Sequence, residues 1–168
     1  LRQQSFLSEK WDFRLDRDEA EDVWEQVDVP HTWNATDGTS PDYYRGDGTY
    51  RYTLSVSPAM MKKRIFLRFE AASQKAEVKL NGQEVGEHVG GFNAFCFEIT
   101  PYVHAGENLL EVAVSNRKEL DIAPLEGDFT VFGGIYRPVS LLLLPKACIT
   151  PLDYASSGVY VSQQVGER

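Results

Sequence analysis

Apolar and polar residues alternate with a period of two through most of this chain, and this alternation limits the fold more than any other feature. In the stretch 50–56, for example, Tyr50, Tyr52, Leu54 and Val56 are separated by polar residues. Side chains of a β-strand point alternately to its two faces, so the pattern is typical of half-buried strands. It predicts strands over 50–56, 65–69, 76–80, 83–89, 94–99, 109–115 and 135–144.

Turn signals separate these predicted strands. Asn81-Gly82 is the strongest of them, because a type I′ turn needs positive φ at both central residues, and it predicts a hairpin joining the strands at 76–80 and 83–89. The stretch 135–144 is apolar on both faces, as is typical of a central strand. About eight short strands with Gly and Pro turns and no long helix predict an all-β fold, a β-sandwich.

The bulk composition excludes several classes of protein. A chain of 168 residues with 42% hydrophobic content can form one domain with a sizeable core. The net charge is −8, with 17 Lys and Arg scattered among 25 Asp and Glu, so a nucleic-acid partner is not expected. The longest apolar block, at 141–144, is far too short to span a membrane, so no membrane partner is expected either. No apolar secretory segment is present, and the compartment stays open, with a periplasmic or secreted parent among the options.

Cysteine and histidine give no sign of a metal or cofactor. No Cys/His cluster has zinc spacing, so we expect neither. Cys96 lies in a strand-like stretch, where a free cysteine is typically a small buried hydrophobe. Nothing in the spacing of Cys96 and Cys148 requires a disulfide, and their pairing stays open.

Two irregular stretches, 32–48 and 116–134, are the places where function is expected. Each holds more than a dozen residues rich in Asp, Gly, Pro and Ser, and loops that long in a compact domain are usually functional or disordered. Both also contain aromatic residues, which favours an ordered and functional loop.

Four motifs in these loops and the neighbouring strands occur in a fixed order: V-P-H-T-W-N at 29–34, Y-R-G-D-G-T-Y-R at 44–51, V-K-L-N-G at 78–82 and D-F-T-V-F-G-G-I-Y-R at 128–137. Together they resemble the amino-terminal sugar-binding domain of glycoside hydrolase family two, the family of β-galactosidases, β-glucuronidases and β-mannosidases. The last motif is most similar to the form found in β-galactosidases. The resemblance covers roughly residues 10–160.

The resemblance implies a jelly-roll sandwich of the galactose-binding type over residues 1–155, with 156–168 as a linker into a truncated immunoglobulin-like domain. One more strand and a turn are expected at 147–154, and the start of a strand without a partner at 157–161. In the family, the two catalytic glutamates lie on a later barrel, and the N-E-P motif of the acid/base does not occur here. Retaining hydrolysis needs two carboxylates about 5 Å apart, so this chain is expected to be inert by itself.

The resemblance also suggests residues that contact the substrate. The acid five positions before the paired glycines, here Asp128, is expected to reach the barrel mouth and hold a sugar hydroxyl, although it could instead cap a turn or pair with Arg137. Arg45 is the second candidate, with surface packing on a tyrosine as its alternative. Asn34 and Asp37 are further candidates, although Asp37 is followed by glycine in a plain turn dipeptide.

Other motif residues are expected to be structural. We expect Trp33 to fill the sandwich edge, His31 to bond a backbone carbonyl, Gly133 and Gly134 to bend the chain into the last strand, and Arg137 to pair with an acid.

Two other functions remain open at this stage. A free-standing carbohydrate-binding module would grip a glycan with a row of exposed aromatics such as Trp33, Tyr43 and Tyr44. A purely structural interface domain would instead touch no sugar and would expose a large apolar patch. The sugar cleaved by the parent enzyme is not determined by these residues, because barrel loops set it.

Overall fold

The computed structural model describes residues 2–16, 23–125, 127 and 129–166, and within these ranges the chain forms ten β-strands. The helical segments in the same ranges are two short 3₁₀ turns, Met60–Lys62 and Thr100–Tyr102. The all-β prediction is confirmed. The strands are β1 (Gln3–Phe6), β2 (Trp11–Asp16), β3 (Glu25–Val27), β4 (Asp47–Val56), β5 (Arg64–Phe69), β6 (Lys75–Leu80), β7 (Gln83–Val89), β8 (Phe95–Glu98), β9 (Gly106–Ser115) and β10 (Val139–Leu144).

The strands form two antiparallel sheets. One has six strands in the order β3-β2-β4-β9-β6-β7, and the other has four in the order β1-β10-β5-β8. The longest pairing joins β4 to β9 over their full lengths, with Asp47 opposite Ser115 and Val56 opposite Gly106. Apolar residues on the facing sides of both sheets form one core, so the predicted β-sandwich is confirmed.

Aromatic side chains dominate the core between the sheets. Trp11 and Tyr50 are completely buried, with their ring centroids 6.3 Å apart in an edge-to-face arrangement. On the other side, Phe69 stacks on Phe95 with centroids 4.7 Å apart. Full burial of a large apolar side chain contributes about 1.5–3 kcal/mol. The core therefore supplies the rigid frame from which the long loops extend.

The hairpin predicted from Asn81-Gly82 is confirmed. Both turn residues have positive φ, 52° and 77°, and Leu80 lies opposite Gln83. The side-chain amide of Asn81 also donates to the carbonyl of Tyr102 at 2.9 Å, which ties the turn to the neighbouring 3₁₀ segment.

The strand predicted over 135–144 is shorter than expected. It begins at Val139, where it pairs with Phe69 of β5. Ile135 is not available for pairing, because its N–H donates to the Tyr50 hydroxyl at 3.4 Å and its carbonyl accepts from the N–H of His31 at 2.8 Å. The expected central position of this strand is confirmed, since β10 lies between β1 and β5.

The strand predicted within 147–154 is wrong, and the expected strand start at 157–161 is not formed either. Instead, residues 145–158, which we call the strap, fold back over the outer face of the four-stranded sheet. Ala155 is buried there against a small apolar cluster that includes Phe66, Cys96 and Leu142. Since this outer face is apolar, covering it is more favourable than continuing as an exposed strand. The domain boundary at residue 155 stays a prediction.

Neither described cysteine forms a disulfide. Cys96 is buried as expected, and burial raises the pKa of its thiol to about 11. Cys148 is half-buried in the strap, where its Sγ accepts a hydrogen bond from Arg64 Nη1 at 3.4 Å.

The described residues show neither a membrane-spanning helix nor a metal-binding cluster. No helix there has the length and apolar character to cross a membrane. No cluster of His, Cys, Asp or Glu within those ranges could hold a metal ion.

Candidate functional site

The two long loops leave the six-stranded sheet at the same end. The first loop runs into β4 at Asp47 and the second leaves β9 at Ser115, and these two residues lie opposite each other in the sheet. The loops are therefore neighbours because of the β4/β9 register, although 68 positions separate Asp47 from Ser115 in the chain. Side-chain hydrogen bonds between them then fix their shape.

Asn34 is the central residue of the first loop and is completely buried. Its Nδ2 donates to Asp37 Oδ1 at 3.0 Å and to the carbonyl of Tyr44 at 2.9 Å. Its Oδ1 accepts from the N–H of Gly133 at 2.8 Å and from Nδ2 of Asn116 at 3.3 Å. These four bonds use all the hydrogen-bonding capacity of one amide group. Asn34 thus joins the first loop to the second.

Asp37 closes a turn within the first loop. Its second carboxylate oxygen, Oδ2, accepts from the N–H of Tyr44 at 2.9 Å, while the N–H of Gly38 donates to the carbonyl of Asn34 at 3.0 Å. The Asp37-Gly38 dipeptide therefore lies in a turn, as its residue types indicate. Its side chain points inward to the loop backbone and lies beside Asn34.

Arg45 links three segments. Its Nε donates to the carbonyl of Asn116 at 2.7 Å, Nη1 to the carbonyl of Leu125 at 3.2 Å, and Nη2 to Oε1 of Gln74 at 3.0 Å. Arg45 is thus held by two backbone carbonyls and one amide. The guanidinium fixes the second loop against β4 and the segment before β6.

Two buried amides that the sequence analysis did not single out complete this network. Asn116 is fully buried, and its Oδ1 accepts from the N–H of Gly46 at 2.8 Å while Nδ2 donates to the carbonyl of Val131 at 2.8 Å. Gln74 is also buried and donates to the carbonyl of Pro124 at 3.1 Å. The available signal was weak: each is a polar residue next to a strand end, a position that favours a bond to loop backbone.

The paired glycines make room for the residues beneath them. A Cβ on Gly133 would lie 2.0 Å from the Trp33 ring, and one on Gly134 would lie 2.6 Å from the Tyr50 hydroxyl. Gly134 also has a φ of 113°, a conformation that side chains rarely adopt. Trp33 itself stacks parallel to Phe13 with centroids 6.0 Å apart. The expected structural role of these residues fits their packing.

The His31 backbone N–H bonds a backbone carbonyl, that of Ile135, whereas its ring, for which the carbonyl contact was expected, bonds a side chain. Its Nδ1 lies 2.8 Å from the Tyr50 hydroxyl. Burial lowers the pKa of His31 and raises that of Tyr50. A neutral imidazole and a protonated phenol are therefore favoured, and Nδ1 of His31 and the Tyr50 hydroxyl share one hydrogen bond whose donor is set by the His31 tautomer.

Arg137, which was expected to pair with an acid, bonds a backbone carbonyl, and its candidate partner Asp128 lies outside the described residues. Its Nη1 donates to the carbonyl of Phe92 at 3.2 Å, and its guanidinium lies 5.5 Å from the centroid of the Tyr136 ring. Within the described residues it forms no ion pair with an acid, although its charge adds to the hydrogen bond and charge of Arg68 in lowering the pKa of Glu70.

Asp128, the first of the predicted substrate contacts, lies outside the described residues. Its neighbour Phe129 is 52% exposed, and Phe132 is 43% exposed on the same loop. The structure brings Asn34, Asp37 and Arg45 into one connected loop network, but it does not describe their relation to Asp128. The roles of these four residues in binding sugar stay predictions.

The aromatic row required by the free-standing module is not formed. Trp33, Tyr43 and Tyr44 are all half-buried. The Tyr43 hydroxyl accepts from the N–H of Val131 at 3.0 Å, and the Tyr44 hydroxyl donates to the carbonyl of Asp16 at 3.2 Å. These tyrosines therefore hold the loops in place.

Comparison with known proteins agrees with this architecture. The family model described as "Glycosyl hydrolases family 2, sugar binding domain" matches residues 5–145. A β-glucuronidase of Bacteroides fragilis is 47% identical over 98% of this chain, which spans 24% of that relative. A β-galactosidase of Thermoanaerobacter pseudethanolicus is 37% identical over 79% of this chain, which spans 18% of it. The chain therefore spans about a quarter or less of these relatives.

Solved structures show the same sandwich. A β-glucuronidase of Bacteroides uniformis superimposes with a TM-score of 0.86 at 40% identity, covering 94% of this chain and 20% of that one. A β-glucuronidase of Dictyoglomus thermophilum has a TM-score of 0.74 at 30% identity, covering 86% of this chain and 28% of that one. The sandwich, the loop network and the family match lead to one conclusion: this chain belongs to glycosyl hydrolase family 2 as its sugar binding domain.

Proposed function

We propose that this chain acts as the non-catalytic sugar-binding domain of a larger retaining glycoside hydrolase and that its two long loops form part of the substrate pocket. The observation that carries the proposal is the buried hydrogen-bond network centred on Asn34 and Arg45. A network of this kind holds irregular backbone in one conformation, and the wall of a substrate-binding pocket needs such a fixed conformation.

The substrate class proposed for the whole enzyme is a terminal β-linked sugar, a β-glucuronide or a β-galactoside. This choice rests on the named activities of the relatives, which include both. The pair of carboxylates that retaining hydrolysis requires would come from a barrel domain outside this chain. The barrel and an immunoglobulin-like domain are the partners on which this sandwich would pack.

Within the pocket, Asp128 is proposed to accept a hydrogen bond from a sugar hydroxyl. A carboxylate accepts a hydrogen bond from a sugar hydroxyl more strongly than a neutral amide or carbonyl oxygen does, because charged hydrogen bonds are roughly twice as strong as neutral ones. Asn34, Asp37 and Arg45 would then act as positioning residues, because their polar atoms bond to the loops.

The test is Asp128→Ala in the full-length enzyme. A lost charged hydrogen bond costs about 1.5–3 kcal/mol, so kcat/KM should fall roughly ten- to hundred-fold. The melting temperature should stay unchanged. Asp121, an exposed acid of the same loop, offers a matched control, and Asp121→Ala should leave both quantities at the wild-type level. Wild-type kcat/KM in Asp128→Ala would remove Asp128 from the pocket.

A purely structural interface is the second candidate function, and the exposed apolar residues of the second loop favour it. Leu120 is 87% exposed, and Phe129 and Phe132 are about half exposed. Phe132→Ser in the full-length enzyme separates the two functions. An interface role alone predicts a lower melting temperature with normal kinetics of the folded enzyme, whereas a pocket wall predicts a change in KM.

A further inference from the structure

A groove of about 800 Å³ lies on another part of the surface, where β7 and β8 meet the strap. One wall is the end of β7, the floor is β8 with the residues just before it, and the other wall is the turn at 152–155. Its volume falls within the range of small-molecule sites in proteins. None of its lining residues belongs to the hydrogen-bond network of the two long loops.

The polar groups of the groove are suited to hydroxyl groups. Asp153 supplies a carboxylate, one oxygen of which accepts from the Tyr160 hydroxyl while the other can accept from a ligand, and Asn93 supplies an exposed amide that can donate and accept. The described lining residues include no Lys or Arg, and the two cations that contact lining residues, Lys75 and Arg68, are each paired with an acid. The described lining therefore offers an anionic ligand no cation, and a neutral ligand rich in hydroxyls fits it better.

His88 contributes packing at this groove, because its Nε2 is buried from solvent and is not open to a ligand. Its ring stacks on Phe95 with centroids 4.2 Å apart, and no described residue offers a hydrogen-bond partner to its Nε2. Burial lowers the pKa of His88, which favours the neutral imidazole.

An aromatic ring stands at the rim. Tyr154 is 89% exposed and has a φ of 50°, and the following Ala155 has a φ of 52°. Two successive non-glycine residues in the left-handed region are costly. This turn is held because Ala155 is buried against the outer face of the sheet and its carbonyl accepts from Arg68. The strap thereby presents the Tyr154 ring beside the groove.

We propose that this groove binds a neutral oligosaccharide, as an accessory site separate from the pocket loops. A pyranose ring has an apolar face that stacks on an exposed aromatic ring, and hydroxyl edges that bond carboxylates and amides. Tyr154 provides the first, and Asn93 and Asp153 provide the second. The proposal goes beyond the proposed function because it concerns a different surface, away from the two long loops.

The test is a titration of the ¹⁵N-labelled chain with cellotetraose, with β-1,4-galactotetraose and with glucuronic acid, followed by amide chemical shifts. At least one neutral tetrasaccharide should shift the amides of residues 87–97 and 152–155, and glucuronic acid should leave them unmoved. Tyr154→Ala should weaken the binding about ten-fold, equivalent to about 1.4 kcal/mol. Tyr154→Phe should retain it, because the ring is kept. Asn93→Ala should weaken it as well.

Phe6 offers a matched control, since it is 62% exposed on β1 at the opposite edge of the same sheet. Phe6→Ala should bind like the wild type. Absence of shifts in the groove with both neutral tetrasaccharides at about 10 mM, a concentration that detects even weak sugar sites, would overturn the proposal. So would unchanged binding by Tyr154→Ala, or shifts confined to the long loops. The last result would leave the proposed pocket function standing.

Discussion

Replacement of Asn34 by alanine should destabilise this chain strongly although it removes little apolar contact. The substitution deletes four hydrogen bonds of a completely buried amide. It leaves the N–H of Gly133 and the carbonyl of Tyr44 without a described partner. An orphaned buried polar group costs about 1–3 kcal/mol, and each of the two other lost bonds about 0.5–1.5 kcal/mol. These terms sum to a loss of about 3–9 kcal/mol in the free energy of unfolding, which lowers the melting temperature by roughly 6 °C or more at about 2–4 °C per kcal/mol.

Urea unfolding followed by tryptophan fluorescence measures this loss, because Trp33 is next to Asn34 in the chain. Hydrogen exchange of the Gly133 amide gives a local readout, since its protection depends on Asn34 Oδ1 at 2.8 Å. Asn93→Ala is the matched control: Asn93 is exposed, so its replacement should change stability by less than about 0.5 kcal/mol. A loss below about 1 kcal/mol for Asn34→Ala, or an unchanged exchange rate at Gly133, would refute the reasoning.

Two further results are expected. Gly134→Ala and Gly106→Ala impose similar backbone strain, with φ values of 113° and 110°, but only the former places a Cβ within 2.6 Å of the Tyr50 hydroxyl. Gly134→Ala should therefore lower the melting temperature well beyond Gly106→Ala, and equal losses would contradict the packing argument. Because burial lowers the pKa of His31 in the folded chain, the unfolded chain takes up its proton first, near pH 6.5. Stability should decrease as the pH falls from 7 to 5.5, less steeply in His31→Gln, and parallel urea midpoints for the two proteins would argue against this contribution.

The parts of the fold that local sequence determines were predictable. Asn81-Gly82 specifies its turn through two φ angles, and it formed as expected. The alternation of Trp11, Phe13 and Leu15 in β2 is equally local and could have been found, but β1 could not. All four residues of β1 are exposed, so it carries no periodic signal and is defined only by pairing with β10.

The candidate site was predictable in location but not in detail. Loop length and composition identified both loops, whereas the contacts that order them join residues far apart in sequence. Asn34 bonds Gly133 across 99 positions, and Arg45 bonds Asn116 across 71. No local pattern encodes such pairs, because they exist only once the β4/β9 register has brought the loops together. The strand within 147–154 was predicted wrongly for the same reason. The strap packs on an apolar face that exists only after β5, β8 and β10 have paired.

The pairing of β1 with β10 determines how early the four-stranded sheet can form during biosynthesis. Gln3 lies opposite Leu143, so two strands that are about 140 positions apart in the chain must meet. At about 5–20 residues per second, β1 leaves the ribosome on the order of ten seconds before its partner strand. During that interval β5 also lacks the neighbour with which it pairs from Arg64 to Phe69. Nascent chains of this domain are therefore expected to expose aggregation-prone strands until residue 144 emerges, and to depend on chaperones over that window more than a sandwich built from sequential hairpins.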